Sequence, residues 1–497
     1  MSGELLRPWL HGEATGPIHV IGASGAEGVA LLQYLVGELG IPRVHAHDFS
    51  ADERAFAKSF RRANTSWERP ERERILKALR SLPVTWHLGE SYCTGLDGAG
   101  LIFASQNWFN YSSNMPALPN AIAAGVPLRG VVDLAMDLFP GTRLGVTGSN
   151  GKSTTSGLLA HLLREGLPTE RALQHGGNDR NAQARLDALA TSAPEDCLVW
   201  EVSNRHLRDR TVPVDIAVLT NVTANHIEDH GSWEAYVAAK ARLVRGATQV
   251  AVLSATDPES VQLIESVESE GVRVWLAGCP PGDPLDRPGR GLVWVSDGTL
   301  VARAPGASSS VPVGDPTSLP LPGAHNQRNL MSAVAAALEA GLSPARLATA
   351  WSRFAPMPGR LEEVAERDGV RWIYDIQATT APASEAGIRA VGESSRLVLL
   401  VGGEDKGMDY AGMANAAADH ARAIIALPGT GAVALCEALA GRVPVTDVPD
   451  LDAALIAARN QAEAGDAVLL SPGAAFFQSR FITPGRSFAR RVRDLLG

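Results

Sequence analysis

The stretch Leu144-Gly145-Val146-Thr147-Gly148-Ser149-Asn150-Gly151-Lys152-Ser153-Thr154-Thr155 carries residue types that cradle phosphate. Its glycines let backbone N–H groups close round phosphate oxygens, and a helix N-terminus adds partial positive charge. The residues before it are apolar in the manner of a strand, and Ser156 to Leu163 place apolar residues at helical spacing. Strand, glycine-rich turn, Gly-Lys-Ser and helix form the order of a phosphate-binding loop. In that arrangement Gly148, Ser149, Asn150, Gly151 and Thr154 line the turn, Lys152 reaches the terminal phosphates, and Ser153 offers a hydroxyl to Mg²⁺. The strict pattern asks for glycine where the chain has Val146, so T-G-S-N-G-K-S-T is a narrower variant. The competing reading is a turn that only joins strand to helix, and Gly-Lys-Ser-Thr at the helix start speaks against it.

Other residues could act beside this loop. Glu201 closes the apolar run Cys197-Leu198-Val199-Trp200, where a carboxylate can hold Mg²⁺ next to bound phosphates. His226 follows the strand pattern Ile216 to Thr220, where a histidine can be a metal ligand, but on its own it reads as a satisfied loop histidine. Lys240, in Tyr236-Val237-Ala238-Ala239-Lys240, reads on its own as a snorkelling surface lysine. Near the N-terminus, Ile18-His19-Val20-Ile21 runs into Gly22-Ala23-Ser24-Gly25-Ala26-Glu27-Gly28, and a second strand ends at Asp48. This is a Rossmann-like opening, but G-x-x-G-x-x-G replaces the dinucleotide fingerprint, so another nucleotide is expected in the crevice. The aromatic loop Gln106 to Tyr111 either lines that crevice or is a plain surface loop.

The elements that must position these residues fit an α/β protein. At 497 residues the chain is long enough for about three domains, and 45% hydrophobic with 20% charged residues is a globular balance. A net charge of −9 excludes non-specific nucleic-acid binding, which needs a basic face. The four cysteines are scattered, as in a reducing compartment without a zinc site. No signal-peptide pattern and no apolar run of membrane-spanning length is present, so a cytoplasmic enzyme is expected. Strand and helix patterns alternate throughout, interrupted by a Gly/Pro-rich stretch from Gly278 to Pro316 that predicts a small antiparallel excursion. A helix is expected from about Gln327 to Ala340, and Pro356-Met357-Pro358-Gly359 marks a hinge. The predicted architecture is a Rossmann-like domain over 1–140, a phosphate-loop ATPase-type domain with a parallel sheet over 141–355, and a second Rossmann-like domain over 356–497.

Taken together, these motifs resemble the Mur ligases, ATP-dependent amide-bond ligases of peptidoglycan-precursor synthesis. The resemblance rests on Thr147 to Thr154, Glu201-Val202-Ser203, Asn221-Val222-Thr223 with His226, Ala238-Ala239-Lys240, and Gly323 with His325-Asn326 and Asn329. Arg360-Leu361-Glu362, Trp372-Ile373-Tyr374-Asp375, Gly402 to Gly407 and Leu470-Ser471-Pro472 extend it and look most like the glutamate-adding members. It implies ATP and Mg²⁺, with UDP-N-acetylmuramoyl-L-alanine and glutamate as the other substrates, and a monomer. It further implies Mg²⁺ ligands at Ser153, Glu201, His226 and Lys240, the last carbamylated. Asn178 and Ser203 would touch the muramoyl substrate, and Ser24 and Asp48 would hold the UDP part. Asn329 would contact adenine, Asp375 the ribose and Arg360 the phosphates. Thr379 and Lys406 would bind the amino acid, with 356–497 closing over ATP and acceptor.

The chain departs from the D-glutamate-adding pattern. Gln377 stands where a lysine is usual, Phe476 where a serine is, and Gly359 where a histidine precedes the arginine. The pair Thr379-Thr380 and the run Gly402 to Asp409 look closer to a lesser branch that adds L-glutamate, so the L-isomer is favoured over D-glutamate. Two alternatives follow from the shared central motifs. A folylpolyglutamate synthase would not need the first ~140 residues, and an inactive nucleotide-binding subunit would have lost Lys152, Glu201, His226 or Lys240.

Overall fold

Short apolar runs buried on both faces form the strands, as expected of parallel sheets covered by helices. The computed structural model describes the chain apart from residues 1–2, 65–66, 91, 112–113, 169–170, 172, 178–184, 209, 225–226 and 483–486, and the side chains of 228 and 479. The first sheet contains β1 (Ile18–Ile21), β2 (Val44–Asp48), β3 (Thr85–Leu88), β4 (Leu101–Ala104) and β5 (Leu128–Arg129). Its order is β3-β2-β1-β4-β5 and every pairing is parallel. The strand order reverses between β1 and β4, which places a crevice beyond their C-terminal ends. The helix after β1 is Ala26–Leu32, and Gln33–Glu38 continues it as a widened, π-helical turn.

The second sheet has nine strands. They are β6 (Thr142–Thr147), β7 (Leu173–Gly176), β8 (Cys197–Glu201), β9 (Ile216–Leu219), β10 (Val250–Ser254), β11 (Arg273–Ala277), β12 (Gly291–Ser296), β13 (Thr299–Arg303) and β14 (Val311–Gly314). The order is β14-β13-β12-β11-β10-β9-β6-β8-β7. β7 to β12 pair in parallel, and β12, β13 and β14 form the expected antiparallel excursion. β6, which feeds the glycine-rich turn, lies between β8 and β9. All five residues of β8 are buried, and each large apolar side chain so buried stabilises the sheet by about 1.5–3 kcal/mol. That rigid centre fixes the three strand ends from which the candidate site is built.

The third sheet contains β15 (Glu362–Arg367), β16 (Val370–Tyr374), β17 (Leu397–Val401), β18 (Ala421–Ala426), β19 (Val445–Asp447) and β20 (Ala467–Leu470). Its order is β15-β16-β20-β17-β18-β19, parallel except for β15 against β16. The architecture is therefore α/β with three sheets. The chain divides into two compact units, residues 1–314 with 331–350, and residues 315–330 with 351–497. The helix expected from about Gln327 begins earlier, spanning Ala324–Glu339. No helix among the described residues is long and apolar enough to cross a membrane.

Candidate functional site

The first unit holds the phosphate-type loop. Lys152–Gly166 is a helix whose N-cap is Gly151 at φ +81°, a conformation in which glycine avoids the Cβ clash. A second loop, after β9, clamps the first. The Ser149 backbone N–H donates to the Asn221 carbonyl (2.9 Å), and the Asn150 N–H donates to Asn221 Oδ1 (3.0 Å). Thr220 Oγ1 donates to the Asn150 carbonyl (2.6 Å), and Asn150 Nδ2 donates to Thr223 Oγ1 (3.0 Å). Ser149 Oγ donates to the Thr223 carbonyl (2.9 Å), accepts from the Thr223 N–H (2.9 Å) and lies 2.8 Å from the Tyr236 hydroxyl. Its one proton and its lone pairs are thus used within the protein, so the loop is shaped before any ligand arrives. Lys152 Nζ folds back to donate to the Ser149 carbonyl (2.9 Å).

Lys240 overturns its reading as a surface residue. It is fully buried on the helix Trp233–Arg245, which Ser232 caps by accepting from the Ala235 N–H. Its Nζ donates to the Gly148 carbonyl (2.7 Å) and lies 4.5 Å from the centre of the Tyr236 ring. Burial, reinforced by the charge of Lys152, pushes its pKa well below that of an ordinary lysine. In the sequence, a lysine beside Ala238 and Ala239 reads as exposed. The tertiary packing of this helix, which local spacing does not reveal, decides otherwise. Tyr236, which touches both Ser149 and Lys240, carried no signal in the sequence.

Glu201 ends β8 almost fully buried and opposite Val146 in the register of β6. No described residue hydrogen-bonds its carboxylate. Gly177, at φ +137°, follows β7, and a Cβ there would lie 2.7 Å from Glu201 Cβ. Asn178 and His226 lie outside the described residues.

Beyond Glu201, Ser203 is buried, with its hydroxyl donating to Gln106 Oε1 and its N–H donating to His206 Nδ1 (3.2 Å). Arg205 pairs with Asp229 (2.6 Å) and donates to Asn107 Oδ1 (2.8 Å), and Arg208 stacks over Phe109 at 4.0 Å. The aromatic loop Gln106 to Tyr111 therefore meets the loop after β8. Burial, with a smaller contribution from Arg210, lowers His206 from 6.5 to about 3, so it is neutral. Asp48 is fully buried: Oδ2 accepts from the Ser24 N–H (2.8 Å), and Oδ1 accepts from Ser50 N (3.0 Å) and Oγ (2.6 Å). Asp48 ties the Gly22–Gly28 turn to the end of β2, and Ser24 Oγ lies 2.9 Å from Ser59 Oγ.

The second unit carries the remaining candidates. Asp375 follows β16, buried, with Oδ2 accepting from Ser471 Oγ (3.0 Å) and Oδ1 from the Leu361 N–H (3.2 Å). Burial raises its carboxyl from 3.8 to about 7 against those donors and the charge of Arg360. Arg360 and Asp375 are thus brought together. Thr379 and Gln377 are exposed next to them, and Thr380 caps the helix Ala381–Gly392. Asn329 is buried, donating to Asn326 Oδ1 (3.2 Å). Lys406 is exposed with Nζ 5.8 Å from the Phe476 ring; Phe476 is itself 63% exposed at φ +60°. Arg480 pairs with Glu404 beside them.

This geometry can hold a polyphosphate on a preset loop, with an oxygen ligand for a dication at Glu201. Residues 146–337 match the Mur ligase middle domain, and 359–473 match the Mur ligase glutamate ligase domain. The UDP-N-acetylmuramoylalanine–D-glutamate ligase of Thermobifida fusca is 34% identical over 444 residues, 86% of this chain and 91% of that protein. Its counterpart in Chromohalobacter salexigens is 37% identical over 336 residues, 66% of this chain and 69% of that protein. Among solved structures, a pseudomurein peptide ligase type C from Methanothermus fervidus superposes with TM-score 0.54 at 17% identity, covering 97% of this chain and 100% of that one. UDP-N-acetylmuramate-alanine ligase from Thermotoga maritima gives TM-score 0.54 at 15% identity, covering 97% and 99%. These two share the fold.

Proposed function

The chain belongs to the Mur ligase family, an ATP-dependent, ADP-forming ligase of peptidoglycan synthesis, and we propose that it joins glutamate to UDP-N-acetylmuramoyl-L-alanine through an acyl phosphate. The observation that carries this reading is the preset loop Gly148 to Lys152 with Glu201 at the neighbouring strand end. A carboxylate is a poor electrophile until one oxygen becomes a good leaving group. The alanyl carboxylate attacks the γ-phosphorus of ATP and ADP departs. The glutamate amine then attacks the acyl carbon, loses a proton, and phosphate leaves with one former carboxylate oxygen. Lys152 and the loop N–H groups stabilise the negative charge that crowds the phosphoryl group.

The donors fit Mg²⁺, which prefers hard oxygen ligands: the Ser153 hydroxyl and the Glu201 carboxylate, which has no protein partner among the described residues. Bound there, the ion offsets phosphate charge. A buried ammonium at Lys240 does not fit a cation site. We assign Lys240 as a carbamate, formed when its neutral amine adds CO₂ and releases a proton, and His226 as a further ligand. Asn329, Arg360 and Asp375 are assigned to ATP, and Asn178, Ser203, Ser24 and Asp48 to the UDP-sugar substrate. By this reading 1–140 serves the UDP substrate, 141–355 ATP, and 356–497 the amino acid. The protein acts in the cytoplasm as a monomer.

We assign L-glutamate as the acceptor. Gln377 in place of a lysine removes a cation, and Phe476 in place of a serine sets a ring near Lys406 Nζ. Lys406 and Thr379 remain to bind the distal carboxylate. The second reading, D-glutamate, is favoured by the names of the relatives. Phosphate release from ATP with UDP-N-acetylmuramoyl-L-alanine and either isomer, in separate reactions, tests both. A tenfold or greater preference for D-glutamate overturns the L-assignment. Turnover with lysine or diaminopimelate alone overturns glutamate.

A further inference from the structure

Two exposed aromatic rings meet at the crevice of the first sheet, and the phosphoryl chemistry described above engages neither. Phe49 is the first residue after β2, and Tyr111 follows the loop after β4. β2 and β4 flank β1 on opposite sides. Neighbouring strands lie about 5 Å apart, so the segments leaving β2 and β4 start about 10 Å from each other. The two side chains close that distance: their ring centroids lie 6.1 Å apart, with the planes 24° from parallel. The contact thus joins the two sides of the crevice into which β1 delivers the Gly22–Gly28 turn. That turn is anchored to the same strand end as Phe49, because the Gly22 and Ala23 N–H groups both donate to the His47 carbonyl (2.8 and 3.0 Å).

Phe49 is 51% exposed and Tyr111 45%. Single apolar side chains at a surface need no explanation, but an exposed pair assembled from two distant segments does. The loop that carries Tyr111 is not loose. Gln106 accepts from Ser203, Asn107 accepts from Arg205, Trp108 is buried and Phe109 lies under Arg208. Anchored at all four residues, the loop presents Tyr111 instead of burying it. An open aromatic surface at the switch point of a parallel sheet fits a planar heterocycle, since stacking is favourable and requires no hydrogen bond from the rings. We propose that Phe49 and Tyr111 form the stacking platform for the uracil base of the UDP-sugar substrate. The proposal rests on the assignment of 1–140 to that substrate, and it leaves the backbone of the Gly22–Gly28 turn to the phosphates.

The test measures binding of UDP-N-acetylmuramoyl-L-alanine to the full-length protein without ATP, by titration calorimetry. Phe49→Leu and Tyr111→Leu keep an apolar side chain but remove the ring, and each should weaken binding about tenfold, whereas Tyr111→Phe, which keeps the ring, should bind within about twofold of wild type. ADP affinity should stay at the wild-type level in all three variants. In proton NMR the uracil H5 and H6 signals should move upfield on binding to the wild-type protein, under the ring currents of both side chains, and should move less with either leucine variant. Leucine variants that bind as tightly as wild type, or bound uracil signals without an upfield shift, would overturn the platform while leaving the UDP-substrate reading intact. An equal loss of ADP affinity in the leucine variants would mark a structural role and would also overturn it. Failure of the wild-type protein to bind UDP-N-acetylmuramoyl-L-alanine at all would overturn the substrate reading, and the platform with it.

Discussion

Replacing Gly148 by alanine should disable the nucleotide loop, and replacing Thr220 as well should restore part of what is lost. Gly148 sits at φ +147°, where a side chain costs about 1–3 kcal/mol. Its Cβ would land on Thr220 Oγ1, lie 3.1 Å from Thr220 Cβ and 3.2 Å from the Asn221 carbonyl, overpacking worth about 1–3 kcal/mol more. The sum, ~4 kcal/mol, enters whichever equilibrium requires the native loop, so ADP affinity should fall by up to ~10³-fold. Thr220→Ala alone removes the hydroxyl that donates to the Asn150 carbonyl and should cost about 1 kcal/mol. In the double variant the oxygen overlap is gone while the φ strain remains. It should bind ADP about tenfold more tightly than Gly148→Ala alone, a coupling of about 2–3 kcal/mol. Titration calorimetry of the four proteins measures the cycle. A Gly148→Ala protein within threefold of wild type, or a double variant no tighter than that single, would refute the reasoning.

Three further outcomes are expected. Lys152→Ala should lower ATP-dependent phosphate release by ~10³-fold or more with an unchanged circular dichroism spectrum, and a variant keeping a tenth of wild-type turnover contradicts the loop assignment. Lys240→Ala should be nearly inactive and partly rescued by short carboxylic acids, which replace a carbamate but not an ammonium; an unmodified amine in mass spectra of native protein kept in bicarbonate counts against it. His206 is depressed in the folded state to about 3 from 6.5, so the unfolded chain takes up this proton first. The contribution is complete above 6.5 and is lost as pH falls toward about 3, at up to about 1.4 kcal/mol per pH unit. His206→Gln should flatten denaturant midpoints measured between pH 4 and 6.

Strands and loop were legible because their signals are local. Apolar runs such as Leu397 to Val401 and the Gly-Lys-Ser turn need no partner to be recognised. The antiparallel excursion was legible from its Gly/Pro punctuation. Lys240 was misread from its residues alone because burial is decided by the packing of its helix against the loop. The Thr220–Thr223 clamp and the Tyr236 contact with Ser149 join residues about 70 to 90 positions apart, which spacing cannot reveal. Asp48 was legible as a strand-end acid, but not that both its oxygens serve Ser24 and Ser50. That His19 stacks on His45, and His47 on His87, follows only from the parallel register of three strands.

The central claim is that the chain activates a carboxylate by phosphorylation before an amine attacks it. The most direct measurement supplies UDP-N-acetylmuramoyl-L-alanine labelled with ¹⁸O in its alanyl carboxylate, together with ATP and glutamate, and follows the label by mass spectrometry. The account predicts one heavy oxygen transferred to inorganic phosphate for each amide bond formed. Amide formation with unlabelled phosphate, or release of AMP in place of ADP, would contradict it.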